Sequence, residues 1–255
     1  MNATILLATL KRAELSHTET LCEFLSERME RAGISCRTIK LANHEIPPGT
    51  YSNMGGGDEW PGILAQMLDS DIIIFATPVW WSNHSSLMQR AIERLDELHD
   101  YVMAGKPSGL EGKTGGIVVT GDSDGSQSII GNLCNFFNGV GLLIPPYASL
   151  TVLWERQAKG AKPTKQELLR KYEKDYGGTA EKMIQQLVAF AGRQRERYPF
   201  FRFCFTLARS SASFIPASVS AQSDSKVVMS CLMARGSVMI TPTSRRSSSS
   251  SRRRL

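Results

Sequence analysis

The chain has 255 residues and 42% of them are apolar, enough to bury a packed core, so composition excludes a fibrous or wholly disordered protein. Its net charge of +6 is unevenly placed: Met1 to Pro199 carries 21 Lys and Arg against 23 Asp and Glu, net −2, whereas Phe200 to Leu255 carries 9 against 1, net +8. The basic balance belongs to the last fifth of the chain and gives the larger part no nucleic-acid or membrane role.

Ala3 to Thr9 is a short apolar run with β-branched members and reads as a strand. A polar loop follows, and Thr18 to Ala32 repeats Leu21, Cys22, Leu25 and Met29 at helical spacing, stopping at Gly33. Ser35 to Leu41 alternates as a second strand, and a loop rich in Pro and Gly runs on to Gly57. Trp60 to Leu68 is a short helix, and Asp71 to Thr77 is a strand apolar on both faces, the mark of a central parallel strand. A Pro-Trp-Trp loop leads into an amphipathic helix from about Ser85 to His99. Gly115 to Thr120 is the next buried strand and Gln127 to Asn138 the next helix. Gly141 to Leu153 is a fifth strand broken by prolines, and Lys165 to Arg195 a helix with a break at Gly177-Gly178.

Short strands alternating with helices require a parallel sheet with right-handed crossovers and helices on both faces. With five strands this predicts a flavodoxin-like three-layer αβα sandwich of order 2-1-3-4-5. Ligands bind such sheets outside the strand carboxyl ends, at the switch between strands one and three. Three loops therefore matter: Thr9 to Thr18, Thr77 to Ser86 and Thr120 to Gln127.

The first loop brings Ser16 and Thr18 to a helix start, where free amides and the dipole favour an anion, with Lys11 and Arg12 nearby. Ser16 with Glu19 also fits a capping box that needs no ligand. In the second loop, Trp80 and Trp81 directly after a buried strand cannot both enter the core, so one or both line a flat pocket suited to a planar ring. His84 there is either a loop histidine, a helix cap or a shaper of that pocket. In the third loop, Gly121 and Gly125 let backbone amides approach a ligand. Its Asp and Gly suggest a calcium loop as well, but no Glu stands at the twelfth position, and no metal is expected.

These residues together resemble the flavodoxin-like NAD(P)H-dependent FMN reductases and quinone reductases, nearest their iron-sulfur flavoprotein branch. The likeness rests on Ser16-His-Thr18, Gly57-Asp58-Glu59-Trp60-Pro61, Asp71 to Trp80, Ser86 to Leu95 and Gly112-Lys-Thr, and covers about residues 1 to 195. It implies bound FMN, with NADPH or NADH as co-substrate. It assigns Thr9, Lys11, Ser16, His17 and Thr18 to the phosphate, Thr77, Pro78, Val79, Trp80 and Trp81 to the isoalloxazine edge and face, and Gly121, Asp122 and Gly125 to its far side. It further implies hydride transfer from a nicotinamide through FMN to a quinone, free flavin or similar small acceptor, in a homodimer or homotetramer. The chemistry is the cofactor's, so no catalytic side chain is nominated. Where iron-sulfur members carry a cysteine cluster, this chain has Pro47, Pro48, Gly49 and Gly55 to Gly57, so no cluster is expected. The first loop also lacks the glycine common in the reductases.

A flavodoxin-type electron carrier is the alternative, although such carriers are strongly acidic and this domain is not. A receiver-type signalling domain needs acidic residues where Leu10, Lys11 and Arg12 stand. The five cysteines are odd in number and scattered, and with no cleavable leader at Met1 to Leu10 they indicate a reducing, cytoplasmic setting. Residues 196–255 read as a basic Ser/Arg-rich tail that is largely disordered, for which binding to an anionic surface is the functional alternative.

Overall fold

Successive residues of a strand face opposite ways, and three strands here are apolar at nearly every position, so they can be satisfied only between two helical layers. In the computed structural model, which describes residues 1–122, 124–154 and 160–197, these are β1 (Asn2–Leu7), β3 (Ile72–Pro78) and β4 (Thr114–Gly121). β2 (Ser35–Lys40) and β5 (Ser149–Leu153) form the half-exposed edges, and all neighbours pair in parallel in the order β2-β1-β3-β4-β5. The order predicted from the alternation is the observed one.

Among the described residues the helices are α1 (His17–Arg31), α2 (Trp60–Leu68), α3 (Ser86–Arg94), α4 (Asp96–Met103), α5 (Ser126–Gly139) and α6 (Lys165–Arg197), with one 3-10 turn at Leu41–Asn43. One layer sets Leu21, Leu25 and Met29 of α1 and Met183, Ile184 and Leu187 of α6 against Ile5, Leu7, Ile72, Ile74 and Val118. On the other face, Trp60, Met67, Met88, Leu133 and Phe137 cover Leu6, Ile73, Phe75, Ile117 and Val119. Odd and even residues of each strand thus feed different cores.

Three predicted elements differ. The helix expected over Ser85 to His99 is two helices joined at Leu95, because the Glu97 amide donates to Thr50 O (3.2 Å) and leaves the helical ladder. The expected break at Gly177-Gly178 is absent. Tyr172, Ala180, Met183 and Leu187 are all buried along one face of α6, and that packing offsets the roughly 1 kcal/mol a helical glycine costs. β5 is shorter than Gly141 to Leu153: Pro145 and Pro146 have no amide to donate, Tyr147 adopts a φ of 61°, and upstream only Leu143 bridges to Thr114. Among the cysteines Cys22 is buried, but Cys36 and Cys134 are only half-buried; Cys204, Cys231 and the predicted tail from residue 198 lie outside the described residues.

Candidate functional site

The site is built on the carboxyl edge of β1, β3 and β4, whose three following loops are tied to one another by direct bonds. Ser85, the N-cap of α3, donates from Oγ to Ala8 O (2.6 Å), fastening the second loop to the first. Val79 N donates to Thr120 O (2.8 Å), and the Thr18 and Thr120 hydroxyls meet at 2.7 Å, joining α1 to the end of β4.

At the first loop, Thr9 and Ser16 are buried, and Ser16 Oγ donates to Thr9 Oγ1 (2.8 Å) while accepting the Glu19 amide (3.3 Å). Half of the capping box is therefore formed; the Glu19 carboxylate is instead held by Lys40 Nζ at 2.8 Å. Thr9 Oγ1 accepts bonds from Ser16 and, at 3.4 Å, from Lys11 N, and neither uses its own proton. Whichever of Thr18 and Thr120 donates, the other likewise keeps a proton to give. Two buried hydroxyls, Thr9 and one of the Thr18–Thr120 pair, thus keep a proton to give near the start of α1, whose first-turn amides favour an acceptor-rich anion. The Lys11 ammonium donates to Leu15 O within its own loop (2.8 Å), one residue before the N-cap Ser16. The His17 ring turns aside onto Trp154, with centroids 5.5 Å apart, while Tyr172 Oη donates to His17 O (3.2 Å).

In the second loop, Trp80 and Asn83 exchange both backbone bonds at 2.7 and 2.8 Å, enclosing Trp81 (φ 49°) and Ser82 (φ 61°) in a left-handed tight turn made without glycine. Trp80 is 49% exposed and Trp81 94%. Non-glycine residues in this region store strain, and a turn that holds two indoles in solvent at a strand end matches a ligand clamp. Thr77 is fully buried, its hydroxyl accepting Ser85 N (3.0 Å). His84 Nε2 meets Gln89 Oε1 at 2.7 Å, which leaves Nδ1 buried and without a hydrogen bond.

In the third loop the glycines serve a contact that spacing alone does not disclose. A Cβ on Gly125 (φ 96°) would stand 2.7 Å from Ser82 Cα, and one on Gly121 2.9 Å from Val79 Cγ2, so both let this loop close against the second. Sequence reasoning missed Ser85 and Thr120, the two residues that knit the loops. Their signals were present, Ser85 preceding an amphipathic helix and Thr120 ending a buried strand. It also missed the Asp58–Arg94 ion pair (2.5 Å), whose side chains are both fully buried.

This donor set fits FMN: a helix N-terminus with buried hydroxyls for the phosphate end, and exposed indoles beside closely apposed backbone for the ring. The fold is flavodoxin-like, and the three loops at its carboxyl edge are the candidate flavin-nucleotide site. The model of the NADPH-dependent FMN reductase family matches residues 1–153, and the chain belongs to that family, whose members bind FMN and use NAD(P)H.

The chain is 33% identical over 153 residues, 58% of its own length, to a protein of Mycobacterium bovis named "Divalent metal cation transporter MntH", of which the match spans 22%. It is 26% identical over 159 residues to the 8-demethyl-8-aminoriboflavin-5'-phosphate synthase of Streptomyces davaonensis, covering 58% of this chain and 62% of that enzyme. The chain thus spans less than two thirds of both relatives. Among solved structures it resembles RosB with bound 8-demethyl-8-formylriboflavin-5'-phosphate, with a TM-score of 0.64 at 20% identity over 89% of this chain and 92% of that one, a likeness of fold. Among the described residues no helix is long and apolar enough to cross a membrane, and no group of three or more His, Cys, Asp or Glu is placed to hold a metal ion.

Proposed function

We propose that the protein is an FMN-dependent oxidoreductase that takes hydride from NADPH or NADH and passes its electrons to a quinone, free flavin or similar small acceptor. FMN, when bound, supplies the two-electron chemistry; the protein's part is to bind, orient and leave one ring face open. In this reading α1's first-turn amides, with Thr9, Ser16 and Thr18, hold the phosphate, and Lys11 and His17 form the rim of that site. Thr77 to Trp81 border the ring, with Gly121, Asp122 and Gly125 on its far side. The observation that carries the reading is the glycine-free turn that presents Trp80 and Trp81 to solvent at the same edge of the sheet that holds two buried hydroxyl donors. A flavodoxin-type carrier would use the same pocket, and the domain's net charge of −2 speaks against it.

The purified protein should show flavin absorbance bands and, loaded with FMN, oxidise NADPH or NADH in the presence of an acceptor. A quinone and free FMN form the acceptor panel. A flavin-loaded protein without nicotinamide turnover sinks the reductase reading in favour of the carrier. The Streptomyces relative supports a second reading, in which a flavin phosphate is substrate and leaves altered. Mass spectrometry of flavin recovered after turnover separates the two: unchanged mass supports the cofactor role, and a changed ring overturns it.

A further inference from the structure

A large apolar side chain exposed by itself is ordinary, but several on joined loops form a surface that calls for a partner. Leu10 (45% exposed) and Leu15 (37%) stand on the first site loop, and Trp80 and Trp81 on the second. The bond from Ser85 Oγ to Ala8 O fastens these loops together, two residues before Leu10 and four after Trp81, so all four side chains share the carboxyl edge of the sheet. Residues 10–15 are exposed without interruption, and the tight turn holds Trp81 in solvent at a φ of 49°. Each indole carries a single N–H on an apolar ring, the amphipathic form enriched where membrane hydrocarbon meets water. Formal charge on the site loops nearly cancels, Lys11 and Arg12 standing against Glu14, Asp122 and Asp124, so apolar contact is what this edge itself contributes. The charge lies elsewhere in the chain: Phe200 to Leu255 carries 9 Lys and Arg against 1 acidic residue.

We infer that the carboxyl edge docks on an anionic lipid bilayer, with Leu10, Leu15, Trp80 and Trp81 entering the interfacial layer and the basic residues of 200–255 held by anionic headgroups. Lasting peripheral binding takes two signals, here an apolar insertion and a polybasic segment, since either alone is marginal. A protein partner would also bury the indoles, but a surplus of +8 with one acidic residue to offset it matches a diffuse anionic surface better than a shaped interface. Net charge gives residues 1–199 no membrane role; what the edge offers is exposed apolar surface, which only the structure discloses. The consequence for function rests on the oxidoreductase reading and deepens it: the acceptor that reaches the flavin site is a quinone dissolved in the bilayer. Hydride from NADPH or NADH and one proton from water convert that quinone to its hydroquinone, leaving the oxidised nicotinamide.

The full-length, FMN-loaded protein should bind vesicles of phosphatidylcholine with phosphatidylglycerol, and its tryptophan fluorescence should fall when the phosphatidylcholine carries brominated acyl chains, which quench indoles at the hydrocarbon boundary. Trp60 is fully buried, so that loss reports the loop indoles. The double variant Leu10→Gln, Leu15→Gln should need about tenfold or more lipid for half-saturation, with its flavin spectrum intact. Arg252→Ser, Arg253→Ser and Arg254→Ser combined should weaken binding by a similar factor. Tyr147→Asn removes an aromatic ring 61% exposed just before β5, at the opposite edge, in a residue type that accepts its φ of 61°, and should alter neither binding nor quenching. Absence of bromine quenching, or binding that either combined variant leaves unchanged, overturns the inference, and vesicle binding by charge without quenching does the same. Quenching without reduction of a bilayer quinone leaves the docking surface standing and removes the quinone reading; reduction of a water-soluble quinone without quenching does the reverse.

Discussion

A guanidinium with no exposed surface must have its N–H groups answered from within the protein. Arg94 Nε donates to Tyr51 O (2.7 Å), Nη1 to Pro47 O and Asp58 Oδ1 (both 3.1 Å), and Nη2 to Asp58 Oδ2 (2.5 Å). Asp58 in turn accepts the Met54 and Trp60 amides, so a single ion pair holds the irregular segment between β2 and α2 in place. The Arg94 hydrogen bonds, set against the cost of burial, hold the Asp58 carboxyl at about 2, below its ordinary 3.8. A carboxylate depressed in the folded state stabilises the fold fully above its unfolded value and loses that contribution as pH falls through its folded one. Asp58→Asn strands the guanidinium and should cost about 3–5 kcal/mol at neutral pH, with the gap from the parent narrowing between about pH 4 and pH 2. Urea unfolding of both proteins across that range checks it; a gap that stays constant refutes the assignment. Asp58 was legible as part of a motif, but its partner was not, since 36 residues of sequence separate the two and no local pattern links them.

At the scale of elements, strand and helix order was readable because each buried strand is a short apolar run closed by a turn and each helix repeats at its own period. The contacts between elements were not readable. The Thr77 to Trp81 loop stood out from the sequence, since two indoles directly after a buried strand cannot both enter the core. That Lys11 folds back onto Leu15 O, and that Gly121 and Gly125 serve the closure of one loop on another, depends on neighbours about 40 residues away in the chain or on the path of the loop itself. The closure makes a prediction. Gly125→Ala places a Cβ against the Ser82 backbone at a φ that L residues rarely adopt, so it should cost about 1–3 kcal/mol and displace the Trp80–Asn83 turn. Fluorescence titration with FMN should then show weaker binding together with the lower stability. A variant that loses neither shows that the two loops are not packed as described.

Over the whole molecule, charge and packing divide the chain at about the same place. Both hydrophobic layers, among the described residues, are complete by Ala191, and α6 ends at Arg197. Residues 1–197 carry 21 Lys and Arg against 23 Asp and Glu, whereas the remaining residues hold the basic excess that sets the pI near 9.1. All three site loops also fall before residue 198. A chain ended after Arg197 should therefore keep its flavin spectrum and turnover, with a melting temperature within about 4 °C of the full chain, the shift expected from no more than about 1 kcal/mol in a domain of this size. It should also lose retention on a cation exchanger, since its net charge changes from +6 to −2. Loss of bound flavin, or a fall of about 10 °C, would mean that residues 198–255 complete the core or the site. The boundary near residue 195, drawn from composition, would then mark a change in charge and not the end of the folded unit.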